Sequence, residues 1–159
     1  MSIRVGFGFD VHQLQDGFDF FLGGIKVPHI KGGLGHSDAD VLIHSICDAL
    51  LGAANLGDIG QHFPDTDPKY KGIDSKILLT EVIKLIKTKG YELGNIDSTI
   101  CLQTPKIGKY IPEMQKVLAD CMNVYPEVVS IKATTTEKLS FVGREEGVSA
   151  YATVLIISK

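Results

Sequence analysis

Hydrophobic and polar residues alternate at the start of the chain, and this pattern predicts a β-strand over residues 3–12. The odd positions are apolar and share one face of that strand: Val5, Phe7, Phe9 and Val11. The even positions share the opposite face: Gly6, Gly8, Asp10 and His12. Asp10 and His12 therefore point in the same direction, and the glycines beside them leave room for a ligand or another backbone segment.

Apolar positions at near-helical spacing predict a first helix over residues 38–56. Ser37 or Asp38 is expected to cap its N-terminus, because Asp40 follows Ser37 at the spacing of a capping box. Gly57 is expected to end it.

The remaining elements follow from the same kind of pattern. A second helix is expected to begin at Asp74 or Ser75 and to stop at Gly90, and a third covers 109–122. The predicted strands are 18–27 with a glycine break, 93–103, 128–134 and 149–157. Because strands alternate with helices, the expected fold class is α/β, an α+β sandwich with helices packed on one face of a single sheet.

Composition narrows the function. A length of 159 residues predicts one domain, residues 1–159. With 16 basic and 19 acidic residues the net charge is −3, which argues against general capture of nucleic acid or an anionic membrane. No membrane span is expected either. The three cysteines are far apart, so we expect no disulfide framework; Cys47 and Cys101 are predicted to be buried small hydrophobic residues.

A candidate metal site comes from the first strand and the first helix. Asp10, His12 and His44 would provide one oxygen and two nitrogen ligands and leave a fourth position open, as in catalytic zinc sites. Asp40 and Asp48 lie four residues to either side of His44 and are expected to orient its ring. A surface Asp and His at a strand end is the alternative. A closed structural site would need a fourth ligand, for which His29 and His62 are the candidates, although both are expected on the surface.

Two further segments suggest ligand contacts. The loop over residues 58–67 is rich in Asp and Pro, so it is either a set of capped turns or a lid that binds hydroxyl groups. Residues 130–138, with Phe141 and Arg144, could form a phosphate cradle, and Lys106 is another phosphate candidate. Dinucleotide, P-loop and serine-elbow motifs are absent from the sequence.

Several of these segments together resemble the 2-C-methyl-D-erythritol 2,4-cyclodiphosphate synthase family. The matching segments lie in the family's order along nearly the whole chain: GFDVH (8–12), GHSDADV (35–41), DALLGAANLGDIG (48–60), FPDTDP (63–68), LQTPKI (102–107), KATTTEKL (132–139) and FVGR (141–144). The resemblance implies a homotrimer with active sites at the subunit interfaces.

The resemblance also assigns roles to residues. Asp10, His12 and His44 match zinc ligands, and Asp10 and His12 also match substrate-binding positions. Glu137 matches a carboxylate that binds a second divalent ion, Mg²⁺ or Mn²⁺, bridging the substrate diphosphate. His36 and Thr135 match catalytic positions that steady the charge of the transition state. His36, Thr135 and Glu137 also match substrate-binding positions. The other matches to such positions are Ser37, Asp58, Ile59, Gly60, Phe63, Pro64, Asp65, Thr66, Asp67, Leu102, Gln103, Thr104, Pro105, Lys106, Ile107, Gly108, Thr134, Thr136, Phe141 and Arg144.

The implied reaction is an intramolecular phosphoryl transfer. The substrate would be the CDP-linked 4-diphosphocytidyl-2-C-methyl-D-erythritol 2-phosphate, and the products the 2,4-cyclodiphosphate and CMP. A zinc-dependent phosphohydrolase fits the open metal site equally well, but it has no need for the cytidine segment. A bacterial cytoplasmic location is expected, with a processed plastid form as the alternative.

Three positions depart from the pattern of many family members. Phe7 replaces a frequent histidine, but it lies on the strand face opposite Asp10 and His12. Ala39 replaces a frequent glycine, and we expect a small effect there. Tyr151 replaces a frequent acidic residue in the last strand, so the ligand cavity on the trimer axis is not carried over.

Overall fold

In the computed structural model, which describes residues 1–158, five strands form one mixed sheet. They are β1 (Ser2–Asp16), β4 (Lys31–Leu34), β5 (Tyr91–Cys101), β6 (Val129–Thr134) and β7 (Gly147–Ser158). Their order is β4-β1-β7-β5-β6, and only the pairing of β5 with β6 is parallel. Two short strands, β2 (Phe21–Leu22) and β3 (Ile25–Lys26), form a separate hairpin, which the prediction of a single sheet did not include.

The helices pack on one face of the sheet, which confirms the predicted layer arrangement. The long ones are α1 (Val41–Ala53), α3 (Ser75–Thr88) and α4 (Ile111–Met122), and the short ones are α2 (Ile59–His62) and α5 (Ser140–Gly143). Their apolar stripes and the inward face of the sheet share one buried core. Burial of this apolar surface is the main force that holds the layers together. No helix in the described part of the chain is both long and apolar enough to cross a bilayer.

Helix α1 begins later than predicted. Asp40, not Ser37 or Asp38, is its N-cap, and the carboxylate accepts the backbone N–H of Ile43. The fully buried Asp40 side chain also accepts the N–H groups of Gly23 and Gly24, so it ties the β2–β3 hairpin to the helix. Ala39 adopts a left-handed backbone with φ 58°, so the helix cannot extend back through this residue. Glycine adopts such a backbone without strain, which explains why glycine suits this position.

Helix α1 lies directly on strand β1. A Cβ atom placed on Gly6 would lie 1.9 Å from the carbonyl oxygen of Ala49, and one on Gly8 would lie 1.9 Å from that of Ser45. The room beside Asp10 is therefore filled by another backbone segment, the second of the two alternatives that the sequence left open. This close approach brings the helix that carries His44 next to the strand that carries Asp10 and His12.

The other face of the sheet is not covered by any element of residues 1–158. Its apolar side chains are exposed, and Val5 and Phe7 each keep 64% of their surface accessible. Tyr151 lies beside Phe9 and Phe7, with ring centroids 5.1 and 6.4 Å apart respectively. Phe7 thus lies on the face opposite Asp10 and His12, as predicted.

The cysteines are free thiols. Cys47 is completely buried as predicted, and burial raises the pKa of its thiol. Cys101 is only half-buried, because it lies at the last position of β5, where the strand leaves the core.

Candidate metal and nucleotide site

Asp10, His12 and His44 meet on the inward side of the sheet. The Nε2 atom of His12 lies 2.9 Å from Oδ2 of Asp10, and Nδ1 of His44 lies 3.1 Å from the same oxygen. The two ring nitrogens are 3.1 Å apart. Among residues 1–158, this is the only group of three Asp, Glu, His or Cys side chains close enough to hold one ion. The contact confirms that the predicted ligands come together.

The charges in this cluster are strongly coupled. Burial alone would raise the pKa of Asp10, but the hydrogen bonds and positive charge of His12 and His44 outweigh it and lower the pKa to about 2. Burial alone would lower the pKa of His12, but Asp10 raises it. The carboxylate therefore stays ionised and attracts a cation to the point between the two rings, where a metal ion could take the place of a proton.

The backbone fixes which nitrogen of His12 faces the cluster. Its Nδ1 lies 3.1 Å from the carbonyl oxygen of Leu34 on β4, and a carbonyl can only accept, so Nδ1 carries the proton. Nε2 then faces Asp10 and His44, where a metal ion could replace the proton that Nε2 shares with Asp10. An imidazole held in this way has the tautomer that a metal ligand needs.

The cluster opens into a cavity of about 330 Å³. Its other lining residues come from the 35–40 loop, α2, the segment after α2 and helix α3: His36, Ser37, Ile59, Gly60, Phe63, Asp65 and Leu78. His36 also approaches the carbonyl oxygen of Asp67 at 3.4 Å. This cavity therefore joins the predicted metal ligands to six predicted substrate contacts, and two of these, Ile59 and Phe63, pack against the core.

The loop after α1 consists of capped turns that also line the cavity. Asp58 caps α2 by accepting the N–H of Gln61 at 3.0 Å, and Asp67 caps the turn Pro68–Tyr70 through the N–H of Lys69. Phe63 packs edge-on against Tyr70, with ring centroids 5.5 Å apart. Capped turns and a role in ligand contact are thus compatible for this loop, because the caps fix the backbone that presents Gly60 and Asp65 to the cavity.

A second cavity of about 340 Å³ lies where β5 and β6 end side by side, on the other side of β7 from β1. It is lined by the segment after β5, the start of α4 and the end of β6: Leu102, Gln103, Pro105, Lys106, Ile107, Gly108, Ile111, Ala133, Thr134 and Thr135. Gln103 accepts the N–H of Lys138 at 3.2 Å and so links the two segments. The Thr104 hydroxyl instead donates to Glu145, 2.6 Å away.

Other predicted contacts lie outside these two cavities. Phe141 lines a third cavity, of about 380 Å³, beside His12. Arg144 is exposed and pairs with Glu146 at 2.8 Å. Glu137 is exposed after the end of β6, away from the Asp10 cluster. No single cavity of the described chain therefore contains the whole predicted set.

Comparison with known proteins identifies the family of this chain. A family model, that of the YgbB family, matches residues 3–157. The chain belongs to the YgbB family. Curated relatives called 2-C-methyl-D-erythritol 2,4-cyclodiphosphate synthase include one from Bacteroides fragilis, 66% identical, with 98% of each chain covered. One from Cytophaga hutchinsonii is 57% identical, with 99% of each chain covered.

Solved structures of YgbB-family relatives have the same fold. The bifunctional IspDF from Campylobacter jejuni matches with a TM-score of 0.96 and 40% identity over 99% of this chain, which spans 43% of that longer chain. IspF from Plasmodium falciparum, solved as a CDP complex, matches with a TM-score of 0.87 and 34% identity over 99% of this chain and 97% of its own. These similarities confirm the fold expected from the resemblance.

The prediction that Asp40 and Asp48 orient His44 in this YgbB-family chain is wrong. Asp40 turns away to cap α1, and Asp48 accepts the N–H of Ile59 at 2.8 Å. Burial raises the pKa of both carboxyls. The Nε2 atom of His44 contacts two hydroxyls instead, that of Ser75 at 2.9 Å and that of Ser37 at 3.1 Å. Helical spacing found neighbours on the same helix, but the partners of the ring come from other elements.

Sequence reasoning used Ser75 only as a helix cap and missed its contact with His44. Ser75 follows the true N-cap, Asp74, at the start of α3. His29 and His62 are half-buried rather than on the surface, and His62 contacts the carbonyl oxygen of Leu56 at 2.7 Å. Neither belongs to the metal cluster, so in the described part of the chain the cluster has three candidate ligands and no fourth one from these histidines.

Proposed function

We propose that this protein is a metal-dependent cyclodiphosphate synthase of isoprenoid precursor biosynthesis, active in the bacterial cytoplasm as a single domain. It converts 4-diphosphocytidyl-2-C-methyl-D-erythritol 2-phosphate to 2-C-methyl-D-erythritol 2,4-cyclodiphosphate and CMP. The observation that carries this proposal is the cluster of Asp10, His12 and His44 at the floor of a cavity with His36 and Ser37 at its side. The names and near-complete coverage of the bacterial relatives support it.

The donor set fits zinc. Two imidazole nitrogens and one carboxylate oxygen are ligands that zinc accepts, at about 2.0–2.2 Å, and tetrahedral ligand atoms at such distances would be about 3.3–3.6 Å apart. The three atoms here are 2.9 to 3.1 Å apart, so small side-chain shifts would suffice. Three protein ligands leave one position for a substrate oxygen. When bound there, the ion acts as a Lewis acid that draws charge from a phosphoryl oxygen.

The reaction needs positioning more than covalent help from the protein. An oxygen of the 2-phosphate bonds to the β-phosphorus, the bond from that phosphorus to the bridging oxygen breaks, and CMP leaves with the electron pair. The nucleophile is already an anion, so no side chain has to remove a proton. The task of the protein is to hold the two groups in line and to exclude water.

Ser37 and His36 line the metal cavity and would hold a phosphate there. The Ser37 oxygen lies 3.3 Å from the backbone N–H of Ala39, which donates to it, and 3.1 Å from Nε2 of His44. With its oxygen accepting, the hydroxyl proton of Ser37 remains available to an anion in the cavity. We assign to His36 the stabilisation of charge that develops on the phosphate.

The second cavity suits a cytidine diphosphate. Its apolar floor of Leu102 and Ile107 would receive the base, and Lys106 at its rim would offset phosphate charge. Thr135 Oγ1 accepts the N–H of Glu137 at 3.2 Å, which leaves its hydroxyl proton for a phosphate oxygen. The exposed carboxylate of Glu137 would bind Mg²⁺ or Mn²⁺ together with the diphosphate. A relative solved as a CDP complex supports this assignment.

A homotrimer with interfacial active sites completes the proposal. The metal cavity and the nucleotide cavity share no lining residue, so one chain does not form the whole site as a single pocket. The exposed apolar face of the sheet provides the surface for assembly: Ile3, Val5, Phe7, Phe9, Val11 and Tyr151. A patch of this kind on a soluble protein marks an interaction surface.

Val5→Glu tests the assembly. The side chain is mostly exposed in the single chain, so the change should cost the subunit itself less than about 0.5 kcal/mol. In a trimer it would place three carboxylates in an apolar interface, and we expect dissociation to monomers in light-scattering measurements, with loss of activity. Ile77→Glu, the same change at a 53% exposed residue of the helix layer, is the control and should stay trimeric. A trimeric Val5→Glu variant would refute this interface.

Product analysis tests the activity itself. The purified protein is incubated with the CDP-linked substrate, zinc and magnesium, and the products are resolved by mass spectrometry. We expect equal amounts of CMP and cyclic diphosphate, and no CMP after the metals are removed with a chelator. CMP with a linear, hydrolysed phosphate product would instead support the phosphohydrolase alternative. No reaction from a metal-loaded trimer would refute both activities.

A further inference from the structure

The His44 ring is held from both sides. Its Nδ1 faces Asp10 and His12, whereas its Nε2 lies 2.9 Å from the hydroxyl of Ser75. Ser75 is fully buried, so no water competes for this contact. The Ser75 hydroxyl in turn donates a short hydrogen bond to Oδ1 of Asp38, and its backbone N–H donates to Oδ2 at 2.8 Å.

The direction of this chain of hydrogen bonds is fixed by Asp38. An ionised carboxylate can only accept, so the Ser75 hydroxyl must donate to it. The oxygen of Ser75 is then left to accept from His44, which puts the ring proton on Nε2. Nδ1 is therefore the ring nitrogen left for the metal ion, which would take the place of the proton that Nδ1 shares with Asp10. Ser37 also contacts Nε2, but it has no carboxylate behind it to fix the direction of its hydroxyl.

We propose that Ser75, anchored by Asp38, is a positioning residue of the metal centre that holds His44 in the tautomer with Nδ1 free for the metal. The inference rests on the proposed function, because it takes Asp10, His12 and His44 as the metal ligands. Asp38 belongs to the loop that carries His36 and Ser37, and Ser75 begins α3. Their contact therefore links the ring of His44 to the loop proposed to hold the phosphate.

Removal of the Ser75 hydroxyl is the first test. Loss of a partner that orients a metal ligand lowers metal affinity by about 10- to 100-fold in known sites. We expect a decrease of that size for Zn²⁺ in Ser75→Ala, measured by competition with a chromogenic chelator, and an altered absorption spectrum with Co²⁺. Ser45→Ala is the matched control, since Ser45 is an equally buried serine next to His44 whose hydroxyl bonds only the carbonyl of Leu42. It should leave both readouts unchanged.

Asp38→Asn is a sharper test because it should reverse the direction of these hydrogen bonds. The backbone N–H of Ser75 can only donate, so the amide oxygen of the new side chain is expected to face it. The amide NH₂ then faces the Ser75 hydroxyl, which must donate to Nε2 of His44 and leave the ring proton on Nδ1. A proton held on Nδ1 competes with the metal ion for that nitrogen, so we expect Asp38→Asn to lose Zn²⁺ affinity at least as much as Ser75→Ala in the same chelator competition.

The outcomes separate this inference from the proposed function. If the parent protein binds neither Zn²⁺ nor Co²⁺, the metal site itself fails, and the positioning role fails with it. If the parent binds metal but Ser75→Ala has the same affinity and spectrum as Ser45→Ala, only the positioning role is refuted. An Asp38→Asn variant with the Zn²⁺ affinity of the parent would also overturn it. A purely structural role would lower the stability of the metal-free protein and leave the metal affinity and the Co²⁺ spectrum as they are.

Discussion

Replacing His12 with alanine is expected to lower the rate of CMP release at least about a thousandfold. The ring supplies Nε2, 2.9 Å from Asp10 and 3.1 Å from Nδ1 of His44, so the variant keeps only two of the three donors. Lewis-acid stabilisation of a phosphoryl transfer is worth several kcal/mol, and about 4 kcal/mol corresponds to this factor. Metal content after dialysis measures the loss of the bound ion, and the initial rate at saturating substrate measures the loss of catalysis.

The fold should survive the same change. His12 is partly exposed at the edge of a cavity, and its one backbone contact is with Leu34. The circular dichroism spectrum should match that of the parent protein. His29→Ala is the control, because His29 is a half-buried histidine that takes no part in the metal cluster, and it should keep its metal and its rate. A folded His12→Ala variant with the parent rate would show that catalysis does not depend on this cluster.

Gly8→Ala is expected to destabilise the protein by at least about 3 kcal/mol, which is large for the addition of one methyl group. The new Cβ would lie 1.9 Å from the carbonyl oxygen of Ser45 and 2.7 Å from the backbone nitrogen of Ala49. Backbone atoms of α1 cannot rotate away, so the helix must move off the strand. Because α1 carries His44 and β1 carries Asp10 and His12, metal affinity should fall as well. Urea unfolding followed by circular dichroism measures the loss, since the chain has no tryptophan.

Gly52→Ala, in the same helix, is the matched control with the opposite sign. A Cβ there would meet nothing within 4 Å, and alanine favours a helix by about 0.5–1 kcal/mol over glycine. The expected result is an equal or higher unfolding midpoint. If Gly8→Ala unfolded at the same urea concentration as the parent, the close contact of α1 with β1 would be disproved.

The two predictions depend on the sequence to different degrees. Alternation along β1 was enough to put Asp10 and His12 on one face, because the side chains of a strand alternate whatever lies around it. The residue types then limited the chemistry to a cation site with oxygen and nitrogen ligands. The long helices and strands were predictable within a few residues for the same reason, since their periodicity is a local property.

The residues at which helices begin and the hydrogen-bond partners of side chains were less predictable. The capping pattern at Ser37 was misleading because the N–H groups of Gly23 and Gly24, from a distant hairpin, bind Asp40 and the backbone turns at Ala39. Helical spacing suggested that Asp40 and Asp48 orient His44, yet both carboxylates bind backbone N–H groups. Local spacing cannot show which of several partners a side chain contacts once the chain has folded.

The sequence by itself thus determined the layer arrangement, the candidate ligands and the family to which they belong. Only the tertiary structure decided that His44 meets a strand more than 30 positions away, that Nδ1 is the atom facing it, and that Ser75 and Asp38 lie behind the ring. The physical reason is that these contacts depend on how closely α1 packs on β1 and where α3 begins. That packing is set by the whole core at once, and no short stretch of sequence contains it.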